Sequence, residues 1–219
     1  DLRERLFDAK LGPKSEGTYD VQMQTMERCL VSLLMLSLHH TSTALCVDLA
    51  RKEAPTFLKV VLVRSLLFIF SQKSMLPWNP TVQMVSAYSF SLNSIFSEYK
   101  EILYRYEQIR TSPDKKSKKP LMDRMYLEIE LITKLITLFK VHPSLIMSGR
   151  DSDEKKAVLM GLCSCGAYFH LPALSAKAFE TILVLHDPEN IMQWQPSNVL
   201  NGFWSIGSIV LHALSNILV

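Results

Sequence analysis

The sequence is poor in glycine, with seven glycines in 219 residues. Glycine supplies the positive φ angles that tight strand turns require, so its scarcity disfavours a fold built from many hairpins. Apolar residues make up 48% of the chain, which is high for a globular protein. Together these proportions predict long helices joined by short connections around one substantial core.

Cysteine and net charge are also low. The net charge is only +3, from 24 basic and 21 acidic residues, so the chain as a whole is not expected to bind nucleic acid. The cysteines fall in apolar helical contexts and lack the dense spacing of a disulfide framework: Cys29, Cys46, Cys163 and Cys165. We therefore expect an intracellular protein, cytoplasmic or nuclear, in a reducing compartment.

Motifs that carry catalysis or bind cofactors are missing from the sequence. It contains no glycine-rich phosphate loop, no HExxH pair and no Glu-x-x-His pattern. Residues 161–166 and 202–207 resemble nucleophile elbows only superficially, because their spacing is wrong and neither follows a predicted strand. The small residues in these two segments are instead expected to let a neighbouring helix approach closely. We therefore predict no enzymatic activity, no cofactor and no small-molecule substrate.

A metal site at Cys163 and Cys165 is also disfavoured. On a helix, two residues that are two positions apart point about 200° away from each other, so the two sulfurs cannot share one ion. The six histidines are scattered at predicted turns, helix ends and one apolar face. Buried structural thiols and ordinary capping histidines are the simpler interpretation, and we predict no metal.

Residues 55–71 form the most apolar segment of the chain and are predicted to be its central helix. Pro55 suits a first helical turn, and only Lys59, Arg64 and Ser65 interrupt the apolar run that follows. The run is too short to cross a bilayer. A helix that is apolar on nearly every face must be covered on several sides, so we expect amphipathic helices packed around it.

Apolar residues recur at three- and four-residue intervals on both sides of this segment, which predicts an all-α fold of about eight or nine helices. Over residues 81–110 the pattern predicts one long helix, bent near Asn93 because five serines lower its helix propensity. Connectors mostly shorter than about ten residues make successive helices antiparallel neighbours. The remaining helices are predicted at residues 1–10, 20–38, 43–54, 121–139, 151–170, 173–185 and 197–219.

Residues 111–120 contain no large apolar side chain and are bracketed by prolines, so we predict an exposed loop. Four basic side chains dominate it: Lys115, Lys116, Lys118 and Lys119. An ordinary solvated loop is the simplest interpretation. A nuclear-import signal and a nucleic-acid contact that extends over residues 100–119 are the alternatives.

Residues 199–219 contain no charged side chain, and the stretch is long enough to cross a bilayer. Its polar residues and the lack of a flanking Lys/Arg cluster argue against a membrane anchor, which stays an alternative. A helix here would carry more apolar surface than one inner contact can bury. We therefore predict that it binds a partner protein through Phe203, Trp204 and Leu211.

Two segments of about thirty residues, 43–70 and 156–185, each resemble one unit of a HEAT or armadillo α-solenoid. Both contain a pair of predicted helices with proline at the turn and a more apolar second helix. The resemblance implies one stacked helical domain over residues 1–219, expected to be a fragment of a longer chain. It implies a scaffold or adaptor that binds partner proteins through exposed helix faces.

Two functions of other classes stay open beside the scaffold. One is a nucleic-acid-associated nuclear adaptor that uses the basic region 100–119. The other is a membrane-anchored regulator that uses residues 199–219. The resemblance supplies no catalytic residues for either.

Overall fold

A computed structural model describes residues 16–36, 39–71, 82–113, 115–147 and 152–185. This part of the chain is 86% helical and contains no strand, which confirms the predicted all-α class. In chain order the helices are α1 (Glu16–Leu36), α2 (His39–Leu49), α3 (Thr56–Ser71), α4 (Val82–Phe96), α5 (Tyr99–Thr111), α6 (Lys115–Val141), α7 (Ser144–Met147), α8 (Ser152–Gly166) and α9 (Pro172–Leu185).

Within the described residues the helix count is slightly lower than the eight or nine predicted for the whole chain. If α4 and α5 are taken as one bent helix and the four-residue α7 is left out, the described part holds seven packed helices. The predicted helices at residues 1–10 and 197–219 lie outside the described residues.

The helices pack in two layers. In one layer α3 lies between α1 and α6, and α9 packs on the other side of α6. In the other layer α4 contacts α2, α7 and α8. α5 continues this layer and packs on α6 of the first layer. Each of the successive pairs α2–α3, α5–α6 and α8–α9 therefore contributes one helix to each layer.

Helix α3 is buried nearly all round, as predicted for residues 55–71. Ten of its sixteen residues are buried, and Leu62 and Val63 are completely inaccessible to solvent. Burying one such aliphatic side chain stabilises the fold by about 1.5–3 kcal/mol. One face departs from the prediction, because Phe68 is 48% exposed while Lys59 is only 2% exposed.

The basic segment predicted as a loop is the largest difference from the sequence prediction. The connector between α5 and α6 is confined to residues 112–114, and α6 is already helical from Lys115. Lysine is a good helix former, and the first four N–H groups of any helix lack an intrahelical partner. Pro120 is the sixth residue of α6, beyond this first turn, so it removes the hydrogen bond that the Lys116 carbonyl would accept, and its ring crowds that carbonyl.

Two predicted helix boundaries also move. α2 begins at His39, four residues before the helix predicted over 43–54, and α8 ends at Gly166 rather than near residue 170. A backbone hydrogen bond from Tyr168 to the carbonyl of Cys165 replaces the four-residue helical spacing with a tighter one at the end of α8.

Candidate functional site

An open groove of about 530 Å³ runs between the α4–α5 segment and α8. This volume is within the usual range of ligand pockets, roughly 300–1,000 Å³. Its lining residues recur at intervals of three and four, so each wall is one face of a helix. The α4–α5 wall consists of Phe90, Asn93, Ser94, Ser97 and Lys100, and the α8 wall of Ala157, Met160 and Ser164.

The groove has a buried aromatic floor and an exposed apolar rim. Phe96 and Tyr99 line it and stack on each other at 5.3 Å between ring centroids, with ring planes 24° apart. Both rings are at most 5% exposed. Phe90 and Met160, on opposite walls, are 52% and 50% exposed. The groove therefore offers two accessible apolar side chains beside a rigid base.

Gly161 allows α8 to approach this floor. A Cβ atom at position 161 would lie 2.6 Å from Phe96 Cε1 and 2.8 Å from Tyr99 Cε1, closer than carbon atoms pack. Only a residue without a side chain fits this contact. The prediction that small residues in segment 161–166 permit close helix packing is confirmed at Gly161.

The break between α4 and α5 shapes the first wall. Ser97 Oγ donates a hydrogen bond to the Ser94 carbonyl at 2.6 Å, and the Glu98 N–H donates to the Ile95 carbonyl at 3.1 Å. Bonds across three residues tighten the chain, and serine hydroxyls that bond to carbonyls of their own helix often bend it. The predicted bend near Asn93 is present, a few residues further along the chain.

A buried ion pair ties this break to the central helix. Lys59 Nζ donates to Glu98 Oε1 at 2.6 Å and to the Lys52 carbonyl at 3.3 Å. The Lys59 side chain is only 3% exposed, whereas Glu98 is 24% exposed. Sequence reasoning treated Lys59 only as an interruption of the apolar run. A lysine in a helix that is otherwise buried was the available signal, because such lysines are paired.

The basic side chains of α5 differ in their surroundings. Arg105 Nη2 lies 3.0 Å from Glu128 Oε2, and Arg110 Nε donates to Glu107 Oε2 at 3.0 Å. Lys100 is exposed, and its Nζ lies 5.9 Å from the centroid of the Tyr99 ring. It forms no ion pair with another described residue.

Asn93 contributes a second unusual polar group to the groove. Its Oδ1 atom is buried and accepts no hydrogen bond from the described residues. A buried acceptor without a donor is costly, because the atom has lost water and gained no replacement. The groove thus combines an apolar base with one exposed cation that has no described carboxylate partner and one buried acceptor that has no described donor.

The thiols on α2 and α8 are unsuited to nucleophilic chemistry. Burial raises the pKa of Cys46 and of Cys165 to about 12, and it also raises the pKa of Cys163. These thiols are therefore protonated at neutral pH, and the thiolate is the reactive form. The described residues contain no group of three or more His, Cys, Asp or Glu side chains placed to hold a metal ion.

A separate polar cluster holds the α8–α9 loop against α5. The Tyr168 hydroxyl donates to Glu107 Oε2, which also accepts from Arg110. The Arg110 hydrogen bonds, followed by the one from Tyr168, lower the pKa of Glu107 to about 2, and burial raises the pKa of Tyr168. The Tyr168 ring packs edge-on against Tyr106 at 6.0 Å. The cluster fixes the loop that leads into α9.

Two sets of residues were predicted to contact a partner or to serve as an import signal. Phe203, Trp204 and Leu211 lie outside the described residues, as does the whole 199–219 segment. The four lysines Lys115, Lys116, Lys118 and Lys119 fall in the first turns of α6, and their side chains lie outside the described part. Among the described helices, none has the length and apolar character needed to cross a membrane. No family model matches the chain.

Proposed function

We propose that this chain is a non-enzymatic protein-interaction scaffold that binds a helical segment of a partner protein in the groove between α4–α5 and α8. The observation that carries the proposal is the pair of half-exposed apolar side chains, Phe90 and Met160, on the two walls above a buried aromatic base. Apolar grooves with this anatomy receive the apolar face of an amphipathic helix.

The dimensions of the groove suit such a ligand. Its first wall runs from Phe90 to Lys100, about 15 Å at the helical rise of 1.5 Å per residue. A partner helix of about three turns would cover this length. Such a helix presents apolar side chains at intervals of three and four residues, which matches the spacing of the wall residues.

The serine hydroxyls that line the groove support binding rather than catalysis. Ser97 Oγ donates to the Ser94 carbonyl, and Ser164 Oγ donates to the Met160 carbonyl at 2.9 Å. A nucleophilic serine instead donates its proton to a general base. These hydroxyls serve the backbone of their own helices.

The two-layer packing also supports a scaffold of the HEAT or armadillo type. When α4 and α5 are counted as one helix and α7 is left out, consecutive helices alternate between the layers, and each layer continues from helix to helix along the array. Stacked arrays of this kind present extended surfaces on which partner proteins bind. The free thiols Cys29, Cys46, Cys163 and Cys165 support a reducing compartment, and we place the scaffold in the cytoplasm or nucleus.

A charge placed on the rim tests the proposal. Met160→Glu puts a carboxylate into the apolar groove without altering the buried base, and Val21→Glu is its matched control. Val21 is 64% exposed on α1, which packs on α2 and α3 and forms neither wall. With a photo-crosslinking residue at position 164, we expect partner adducts with the parent chain and with Val21→Glu but not with Met160→Glu. Equal adducts from all three chains would refute groove binding.

The two other function classes give different results in simple assays. A nucleic-acid adaptor would be retained on DNA or RNA in a salt-dependent way, and neutralising Lys115, Lys116, Lys118 and Lys119 would abolish retention. A membrane-anchored regulator would need detergent for solubility, and removing residues 199–219 would relieve that need. Either result, with no groove-dependent adduct, would replace the scaffold proposal.

A further inference from the structure

We propose that the groove selects an acidic amphipathic helix, whose carboxylate lies at Lys100 while its apolar side chains contact Phe90 and Met160. This inference rests on the proposed function, because it names the chemistry of the partner at the same site. It follows from the distribution of charge along the groove rather than from its apolar character.

Lys100 is the only residue with a formal charge among the eleven that line the groove. It is exposed, and no described carboxylate pairs with it. Arg105 and Arg110, further along the same helix, each lie 3.0 Å from a carboxylate oxygen, so an unpaired cation is not a general property of α5. A partner carboxylate at this position would give the groove the complementary charge it lacks.

The position of Lys100 also sets how far the partner's carboxylate lies from its apolar contact. Phe90 and Lys100 lie at opposite ends of the first wall, ten positions apart. A partner helix packed along this wall meets an apolar contact at one end and a cation at the other. Its carboxylate is therefore expected about ten residues from the apolar side chain that contacts Phe90, which is roughly 15 Å along a helix.

Asn93 adds a second requirement between these two ends. Its buried Oδ1 atom accepts no hydrogen bond from the described residues. Asn93 lines the groove between Phe90 and Lys100, so a hydroxyl or amide side chain of the partner that reaches this oxygen would supply the missing donor. The bound helix is thus expected to carry an apolar side chain, then a donor, then a carboxylate.

The inference is tested with a library of displayed helical peptides of about three to four turns, sorted on the 219-residue chain. Apolar positions are kept at three- and four-residue spacing, and the remaining positions are randomised. The same library is sorted on Lys100→Glu, on Met160→Glu and on Arg28→Glu. Arg28→Glu makes the same charge change at an exposed position of α1, which forms neither wall, and so controls for net charge.

We expect the parent chain and Arg28→Glu to enrich Asp or Glu at one position about ten residues from an apolar residue. Lys100→Glu should instead enrich Lys or Arg there, and should weaken a parent-selected peptide about five- to tenfold in fluorescence anisotropy, less at high salt. Met160→Glu should enrich neither kind of peptide.

Three results would overturn the inference, and they separate it from the proposed function. Apolar peptides that bind without a charge preference, and are lost with Met160→Glu, would leave a scaffold groove of different selectivity. Self-association of the parent chain in sedimentation, abolished by Met160→Glu, would make a second copy the occupant. Peptides that bind Met160→Glu as well as the parent would overturn the proposed function together with the inference.

Discussion

Replacing Gly161 with alanine has two opposite effects on the free energy of unfolding. Alanine in a helix interior is preferred over glycine by about 1 kcal/mol. The added Cβ would, however, lie 2.6 Å from Phe96 Cε1, and overpacking a core costs about 1–3 kcal/mol. Phe96 is 1% exposed, stacks on Tyr99, and meets Phe139 edge-on at 5.5 Å. Because this ring cannot move aside, the upper part of that range applies, and the net loss should be about 1–2 kcal/mol.

The loss is measured by denaturant unfolding, with the circular dichroism of the helices as the signal. In thermal unfolding, the same loss should lower the melting temperature of a chain of this size by roughly 2–8 °C. Gly166→Ala is the matched control, because its Cβ would lie 3.3 Å from the half-buried ring of Phe179, which can yield. We expect that change to stay within about 0.5 kcal/mol. In a Phe96→Leu background the penalty at Gly161 should shrink. A Gly161→Ala chain as stable as the parent, or more stable, would refute the close approach of α8.

Glu98→Gln should lower the free energy of unfolding by about 3 kcal/mol, because it leaves the buried ammonium of Lys59 without a carboxylate. Lys59→Met should lower the free energy of unfolding by less, because the Glu98 carboxylate that it leaves behind is 24% exposed and can be hydrated. Equal losses for the two variants would contradict this difference in burial between the two partners. Leu66→Asp should unfold the domain, whereas Phe68→Asp should be tolerated, because the two side chains are 1% and 48% exposed. The carboxyl of Glu107 has its pKa lowered from 4.5 to about 2 by its arginine and tyrosine donors. Its contribution to stability is therefore present above about pH 4.5 and lost toward pH 2, and Glu107→Gln should flatten the measured dependence of unfolding on pH across that interval.

Helices with strong local signals were predicted closely from the sequence. The central helix was predicted over residues 55–71 and is observed over Thr56–Ser71, and the helix predicted over 173–185 is Pro172–Leu185. In both cases a proline fixes the beginning, because its constrained φ angle suits a first helical turn. The local sequence alone carries that information.

The inward faces of the helices were predicted less well where apolar residues are abundant. On α1, the apolar residues Val21 and Leu33 are 64% and 42% exposed, while Met23 is 3% exposed. Several stripes fit a helix with this many apolar residues, and tertiary packing selects among them. The basic segment was predicted as a loop from its polarity, although lysines are compatible with the helix that begins at Lys115.

The groove itself could not be predicted, because each contact that forms it joins distant parts of the chain. Gly161 meets the ring of Phe96 from a helix more than sixty residues away, and the Lys59–Glu98 ion pair spans 39 residues. Periodicity assigns a residue to a face but does not say which helix that face meets. In the sequence these contacts are indicated only by Lys59, a charged residue in an apolar run, and by Gly161, a residue without a side chain.

These two contacts act on the same part of the fold, the break between α4 and α5. Lys59 of α3 is paired with Glu98 at the break, and Gly161 brings α8 against Phe96 and Tyr99 on either side of it. The break sets the direction of the two halves of the first wall, and the glycine contact sets how closely α8 approaches them. Phe90 and Met160 stay half exposed on the two walls. The geometry of the groove therefore depends on two buried contacts that lie beneath its exposed rim.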